Sequence, residues 1–308
     1  MAKKKVRRHV AVLGLGRMGG LMAKHLVAAG FDVTGFDPAR KALSAARRSG
    51  TRTAASAAEA VRSAGVVCSS LPTPAVVREV YLGSGGALGA MRRGAICFEH
   101  STSEVGLVRK IAAAAKKRGI VFLDAPVSGS VPHLERKEVA AIVSGDRRAL
   151  ESNRDVLETF CKSITYMGPV GNALIMKLVT NHILLIQHAG MAEGLAFGLK
   201  AGLNPAEMVN FLQGSALPNL LFYKGPTMAA RDYSTNIADV AIGLKDLALS
   251  VEEANGLGAP TPLGVAARQQ FVAAGAIGHL KSDFNAVYEA YLNAMGEKPK
   301  RGRGAPRS

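Results

Sequence analysis

Residues 14–19 read GLGRMG, a G-x-G-x-x-G run. It directly follows the β-branched segment HVAVL and opens a stretch, MGGLMAKHLVAAG, whose apolar residues recur every three or four positions. Between a strand and a helix each glycine has a mechanical use. Gly14 permits the tight turn, Gly16 lets the backbone approach a pyrophosphate, and Gly19 lets the helix pack on the strand. The helix N-terminus offers its unpaired N–H groups to the anion. The dinucleotide-binding candidates are therefore Gly14, Leu15, Gly16, Arg17, Met18 and Gly19; a tight turn without a ligand is the plain alternative. The second apolar run, FDVTGFD, ends at Asp37, about 20 residues on, where a carboxylate can bind the adenosine ribose diol. That charge repels a 2′-phosphate, which favours NAD over NADP. Arg40 and Lys41 stand close enough to bind such a phosphate, and capping the next helix is an alternative use for Asp37.

Strand-like and helix-like stretches keep alternating. AGVVCSSLP, GAICFEHST and GIVFLDAPV continue the strand series, with helical patterns at 39–50, 74–80 and 103–118; AAIVSG and SITYMG flank another at 147–160. Unbroken apolar strands joined by helices predict a parallel sheet covered on both faces, so the first half reads as an α/β, Rossmann-type doubly wound domain. After Gly168 no strand pattern remains. Residues 171–201 form one long helix too apolar all round for a surface helix, expected to be buried between domains or subunits. Helical patterns near 205–214, 236–257, 262–274 and 283–295 follow, punctuated by Pro218, Pro226, Pro260 and Pro262. The expected division is a basic tail at 1–8, a dinucleotide-binding domain at 9–167, an all-helical domain at 168–297 and a second basic tail at 298–308.

The net charge of +16 invites a nucleic-acid reading until its position is counted. Ten of the 39 basic residues, among them Lys3, Arg8, Lys298 and Lys300, lie in those two ends, which contain no acid; the body keeps 29 basic against 23 acidic residues. Solvated, mobile tails are expected, with contact to nucleic acid or an acidic surface the alternative. Cys68, Cys97 and Cys161 form an odd, scattered set that excludes a disulfide framework and favours a reducing compartment. No Cys/His cluster points to a metal. No apolar run reaches the ~18 residues of a membrane span. The first strand begins near residue 9, leaving no space for a transit peptide, and a cytoplasmic location is expected.

Further candidates lie at the carboxyl edge of the expected sheet, where ligands bind in such folds. SSLPTP at 69–74 places Leu71 and Pro72 there, and EHSTSE at 99–104 places Thr102 there. Ser101-x-x-Glu104 also fits a capping box. In DAPVSGS at 124–130, Ser128 and the Gly129 amide can hold a carboxylate, or form an ordinary Gly-Ser turn. Lys177 sits inside the apolar helix, where an unpaired ammonium is costly, and Asn181 follows one turn later on the same face. A lysine buried at a domain junction can have its pKa lowered into the range of proton transfer; a snorkelling or salt-bridged lysine is the alternative. His188 reads as packing, and Lys245–Asp246 as a surface pair.

Taken in order, GLGRMGGLMAKHL, SLPTP, Ser101–Thr102, DAPVSGS, GPVGNALIMKLVTN and GLKDLALSVEEA resemble the β-hydroxyacid dehydrogenase family over residues 9–295. That family includes 3-hydroxyisobutyrate dehydrogenases, tartronate semialdehyde reductases and glyoxylate/succinic semialdehyde reductases. The resemblance implies an NAD(P)-dependent oxidoreductase interconverting a small β-hydroxyacid and its semialdehyde, with no metal and with a helical domain that forms a homodimer or homotetramer. It implies Lys177 as catalytic acid/base, Asn181 near the reacting carbon, Ser128 and Gly129 on the substrate carboxylate, and Thr102 by the nicotinamide. Lys245, with Asp246 beside it, would close over cofactor and substrate.

The sequence departs from the family pattern at Ser130, where a second glycine is common. It also departs in VPHLERKEVAAIVSG, which lacks the usual glycine-threonine-leucine and puts His133 and Arg136 near the pocket wall, most simply as solvated side chains. Imine reductases usually lack the lysine, and 6-phosphogluconate dehydrogenases carry a histidine where Thr180 stands. Glyoxylate/succinic semialdehyde reductase activity is one alternative. A largely non-enzymatic binding module using the basic tails is another; the family relative with such a role has lost the lysine kept here as Lys177.

Overall fold

The β-branched runs of the first half do form one parallel sheet. In a computed structural model, which describes residues 8–215, 220–234, 238–298 and 300, it is built from β1 (His9–Leu13), β2 (Asp32–Phe36), β3 (Arg52–Thr53), β4 (Val66–Ser69), β5 (Ile96–Glu99) and β6 (Val121–Asp124). The strand order is β3-β2-β1-β4-β5-β6, all pairs parallel. The order reverses between β1 and β4, so the switch point, where such sheets bind ligands, lies at the carboxyl ends of these two strands, beside the GLGRMG turn that follows β1. β4 is buried along its whole length, as a strand covered on both faces must be.

Three strands leave the expected series. β7 (Val127–Ser128), β8 (Val139–Val143) and β9 (Cys161–Tyr166) form a separate sheet with β7 antiparallel to β8 and β8 parallel to β9. The chain reverses after β6, so Val127 and Ser128 pair with Ala141 and Ala140, and a single bridge joins Asp124 to Ser144. The helices Arg17–Ala28, Arg40–Arg48, Pro74–Leu82 and Val105–Lys117 stand close to their expected bounds. The helical pattern at 147–160 is instead two helices, Arg147–Ser152 and Arg154–Glu158. Asn153 breaks it by leaving helical φ and folding its amide back to the Ala149 carbonyl.

Among the described residues only helices follow β9: Asn172–Lys200, Pro205–Gln213, Leu220–Ala229, Val240–Gly256, Pro262–Ala274 and Val287–Ala294, with short turns at Gly275–His279 and Phe284–Ala286. Leu220–Ala229 was not expected, because Pro226 reads as a breaker yet lies inside it, next to the fully buried Met228. Chain contacts divide the molecule into residues 1–177 and 178–308. The first unit has a core that includes Val10, Leu26, Phe98, Leu123 and Phe160; the second has one around Leu195, Phe271, Tyr288 and Leu292. None of the described helices is long and apolar enough to cross a membrane.

In the single chain Leu174, Leu178, Leu185 and Leu195 of the long helix are buried while Met176, Val179, Ile183 and Phe197 remain exposed, which is compatible with its expected burial between subunits. One expectation needs correction. The solvated tails do not begin where the charge begins. Arg8 pairs with Asp155 at 2.7 Å and donates to Asn153. Lys298 accepts from Arg231 through its carbonyl, while Lys300 donates its N–H to Glu289 and accepts from His279 Nε2. Local acids and a buried histidine hold these residues because each leaves a backbone or side-chain group to satisfy. The rest of both basic ends, residues 1–7, 299 and 301–308, lies outside the described residues.

Candidate functional site

In the first unit the glycine-rich turn has the geometry its sequence calls for. Gly14 adopts φ +84°, and a Cβ there would overlap the Ser70 carbonyl oxygen; one on Gly19 would overlap the Gly14 carbonyl oxygen. A Cβ on Gly16 would meet nothing within 4 Å, so this glycine faces open space. Gly16 caps the helix Arg17–Ala28 without any side-chain hydrogen bond, so no side chain of the cap stands where the N-terminus of a helix attracts an anion. The Leu15 N–H donates to Asp37 Oδ2 at 2.8 Å, and Asp37 Oδ1 accepts from the Ala39 N–H at 2.8 Å. Asp37 therefore fastens the end of β2 to the turn and also caps the following segment. Each carboxylate oxygen keeps acceptor capacity for a hydroxyl. Arg40 and Lys41 are exposed nearby in sequence. This donor set fits a dinucleotide with its ribose on Asp37.

The loops after β4 and β5 are tied to each other. Ser101 Oγ accepts from the Leu71 N–H at 2.7 Å, and the Ser101 N–H donates to Glu99 Oε1 at 2.7 Å. Ser101 is thus no helix cap: Glu104 occupies that position before Val105, and the capping-box reading is corrected. Glu99 is fully buried, accepts a 2.5 Å hydrogen bond from Ser69 on Oε2, and has its pKa raised by burial. It was missed because an acid ending an apolar strand gives no periodic signal. Thr102 and Leu71 are half-buried and Pro72 is exposed at the same edge. His100, between Phe98 and Phe160, donates from Nδ1 to the Ala125 carbonyl at 2.6 Å, and burial lowers its pKa to about 4.

DAPVSGS is more than a Gly-Ser turn. Ser128 ends β7, and Gly129 adopts φ +135°, where a side chain would be strained and would crowd Val139. Ser130, the departure from the family pattern, caps the short helix Val131–Glu135 and lies 2.6 Å from His133 Nδ1 through its hydroxyl. Arg136 pairs with Glu138 at 2.8 Å, so neither His133 nor Arg136 is committed to a pocket wall.

Lys177 and Asn181 lie one turn apart on the helix Asn172–Lys200 and so on one face of it. Lys177 is half-buried rather than enclosed. In the second unit Asn181 is buried and donates from Nδ2 to Asp246 Oδ2 at 2.6 Å; Lys245 Nζ lies 3.0 Å from Asp246 Oδ1. Asp246 is itself buried, so its charge is spent on an amide and an ammonium rather than left on the surface. His188 packs edge-on against Phe284 and donates from Nδ1 to the Leu184 carbonyl at 2.7 Å; burial lowers its pKa to about 4.

Known proteins place these features in one lineage. A family described as the NAD binding domain of 6-phosphogluconate dehydrogenase matches residues 9–168, and one described as NAD-binding of NADP-dependent 3-hydroxyisobutyrate dehydrogenase matches residues 171–291. The 3-hydroxyisobutyrate dehydrogenase of Pseudomonas aeruginosa is 35% identical over 292 residues, covering 92% of this chain and 98% of that one. The NAD-dependent L-serine dehydrogenase of the same bacterium is 32% identical over 298 residues, covering 94% and 100%. The structure of Mycobacterium tuberculosis 3-hydroxyisobutyrate dehydrogenase with L-serine matches at a TM-score of 0.83 and 33% identity, covering 92% and 98%. The chain belongs to the β-hydroxyacid dehydrogenase family and is an NAD(P)-dependent hydroxyacid dehydrogenase.

Proposed function

We propose that this enzyme interconverts a small β-hydroxyacid, of the 3-hydroxyisobutyrate or L-serine kind, and its semialdehyde, with NAD preferred to NADP. When bound, the nicotinamide supplies hydride acceptance in one direction and hydride donation in the other. The amine of Lys177 takes the hydroxyl proton during oxidation and returns a proton to the carbonyl oxygen during reduction. Asn181 hydrogen-bonds the substrate near the reacting carbon; with one N–H committed to Asp246, its carbonyl oxygen and second N–H stay oriented for the ligand. The Ser128 hydroxyl and Gly129 N–H receive the substrate carboxylate, which fixes the reacting carbon. Thr102, Leu71 and Pro72 border the nicotinamide end, and Gly14 to Gly19 with Asp37 hold the pyrophosphate and ribose. Lys245 adds a cation for substrate and cofactor, and Asp246 orients both Lys245 and Asn181.

The observation that carries this reading is the placement of Lys177 one turn before an asparagine whose amide a buried carboxylate holds in one orientation. Residues 9–167 act as the dinucleotide domain and 168–297 as the substrate and oligomerisation domain of a homodimer or homotetramer. Three buried free thiols support a reducing compartment, and the cytoplasm is the location of this reading. A second reading, reduction of glyoxylate or succinic semialdehyde, is favoured by Ser130, a residue found in some of those reductases at this place in the loop.

The test is oxidation of 3-hydroxyisobutyrate and L-serine, and reduction of glyoxylate and succinic semialdehyde, each with both nicotinamide cofactors. Lys177→Ala is expected to cut turnover by about 10² or more while leaving cofactor affinity nearly intact. Full turnover in that variant would remove Lys177 from the mechanism.

A further inference from the structure

Asp124 is the first residue of DAPVSGS, at the end of β6, and only 1% of it is exposed. No hydroxyacid need touch it for it to matter, because its carboxylate is occupied by the protein. Oδ1 accepts the Ser144 hydroxyl at 2.5 Å and the Gly171 N–H at 3.0 Å; Oδ2 accepts the Leu174 N–H at 3.0 Å. Ser144 Oγ in turn accepts the Ala173 N–H at 3.0 Å, and the Asn172 N–H goes to the Pro169 carbonyl at 3.2 Å. The four N–H groups that open the helix Asn172–Lys200 are therefore all satisfied, three of them by the Asp124–Ser144 pair. The same aspartate sets the backbone from which β7 and the Ser128–Gly129 turn depart, and its own carbonyl accepts the Ser144 N–H at 2.9 Å.

We infer that Asp124, with Ser144, is the positioning residue that fixes Lys177 relative to the Ser128–Gly129 loop. Lys177 stands three residues, less than one turn, beyond Leu174, so an anchor at Leu174 sets the axial and rotational place of its Cα. The loop and the lysine helix then share one carboxylate as their common origin. Every group facing that carboxylate is a donor, so only an oxygen pair fits. A carboxamide of the same shape would turn an N–H₂ against either the Leu174 N–H or the Ser144 and Gly171 donors. A helix start misplaced by even about 1 Å can lower a reaction rate by up to 10², without any loss of contact to the cofactor.

This inference rests on the proton-carrying role proposed for Lys177, so the experiment separates the two. Asp124→Asn, Ser144→Ala and Lys177→Ala, singly and as doubles with Lys177→Ala, are assayed with 3-hydroxyisobutyrate and L-serine and NAD. NADH binding is read from the fluorescence of the nicotinamide, since the chain contains no tryptophan. Asp124→Asn is expected to lower kcat about tenfold or more with NADH dissociation within about twofold, and to cause no further loss in the Lys177→Ala background. Should Asp124→Asn fail to fold, Ser144→Ala carries the same cycle under the same criteria, because it strips Ala173 of its acceptor. Unchanged kcat, an equal proportional loss on both backgrounds, or NADH binding that weakens in step with kcat would each overturn the inference while leaving the lysine in place. Full activity of Lys177→Ala, or no turnover by the unmodified enzyme on either hydroxyacid, overturns the parent reading and this one with it.

Discussion

A carboxylate that already accepts two backbone N–H groups is a poor place for a third partner unless that partner brings hydroxyls. Asp37 is such a group, held at the tip of β2 by Leu15 and Ala39. Asp37→Ala is expected to weaken NAD binding about tenfold, the scale of one hydrogen bond to a charged group, and to weaken NADP less, because the repulsion of a 2′-phosphate goes with it. Cofactor titration reads both, and an unchanged NAD/NADP ratio counts against a ribose contact. Two histidines make a second argument at this scale. His100 and His188 are held neutral by burial, each with a pKa lowered to about 4 from the ordinary 6.5. Unfolding releases them to bind protons, so their contribution is complete above pH 6.5 and is lost as pH falls from 6.5 towards 4. At pH 5 the loss is roughly 2 kcal/mol for each histidine. In His188→Phe, the drop in urea-unfolding stability between pH 7.5 and pH 5 is expected to shrink by roughly that amount. An undiminished drop would mean that His188 already takes up its proton in the folded protein.

Elements, not single side chains, explain what the glycine-rich turn tolerates. Alanine at Gly16 meets open space, so Gly16→Ala is expected to keep its melting temperature within a few degrees but to lose NADH affinity, because the methyl group occupies the pyrophosphate's approach. Alanine at Gly19 collides with the Gly14 carbonyl inside the strand–helix contact, so Gly19→Ala is expected to lose both stability and affinity. If thermal melts with and without NADH show the two variants behaving alike, the turn does not divide its work in this way. The turn was readable in the sequence because an apolar strand, three spaced glycines and an amphipathic helix all point to one geometry. β7 was not readable: two residues cannot show alternation, and its pairing with Ala140 and Ala141 depends on a chain reversal with no local code. Of the candidate site, Lys177 and Asn181 were legible as polar residues one turn apart in an apolar helix. Glu99 and Asp124 lay inside the quoted segments EHSTSE and DAPVSGS but went unassigned, because their value lies in backbone donors brought from distant positions. The prolines misled at Leu220–Ala229, where burial of Met228 accompanies a helix that propensity alone rejects.

At the scale of the whole molecule, the helical half carries more exposed apolar side chain than a finished surface usually leaves. Phe197 is 74% exposed on the long helix, Phe211 is 77% exposed on Pro205–Gln213, and Leu203 stands exposed in the turn between them. These three follow each other within fifteen residues of chain, and Met208 seats the second helix against Gly198 of the first, so they belong to one local structure. Burying a phenylalanine from water gives about 2–3 kcal/mol, and a symmetric contact counts each side chain twice. A homo-oligomer covering this region is therefore expected, and sedimentation velocity at micromolar concentration should show a species larger than the 32.1 kDa chain. Phe197→Glu with Phe211→Glu should shift that species to the monomer while preserving NADH affinity, because both substitutions lie far in sequence from the glycine-rich turn and from Asp37. A wild-type chain that sediments as a monomer would leave these aromatics without a partner of its own kind. An oligomer untouched by both charges would move the interface to other exposed apolar residues of this half, Leu257 and Leu263 first among them.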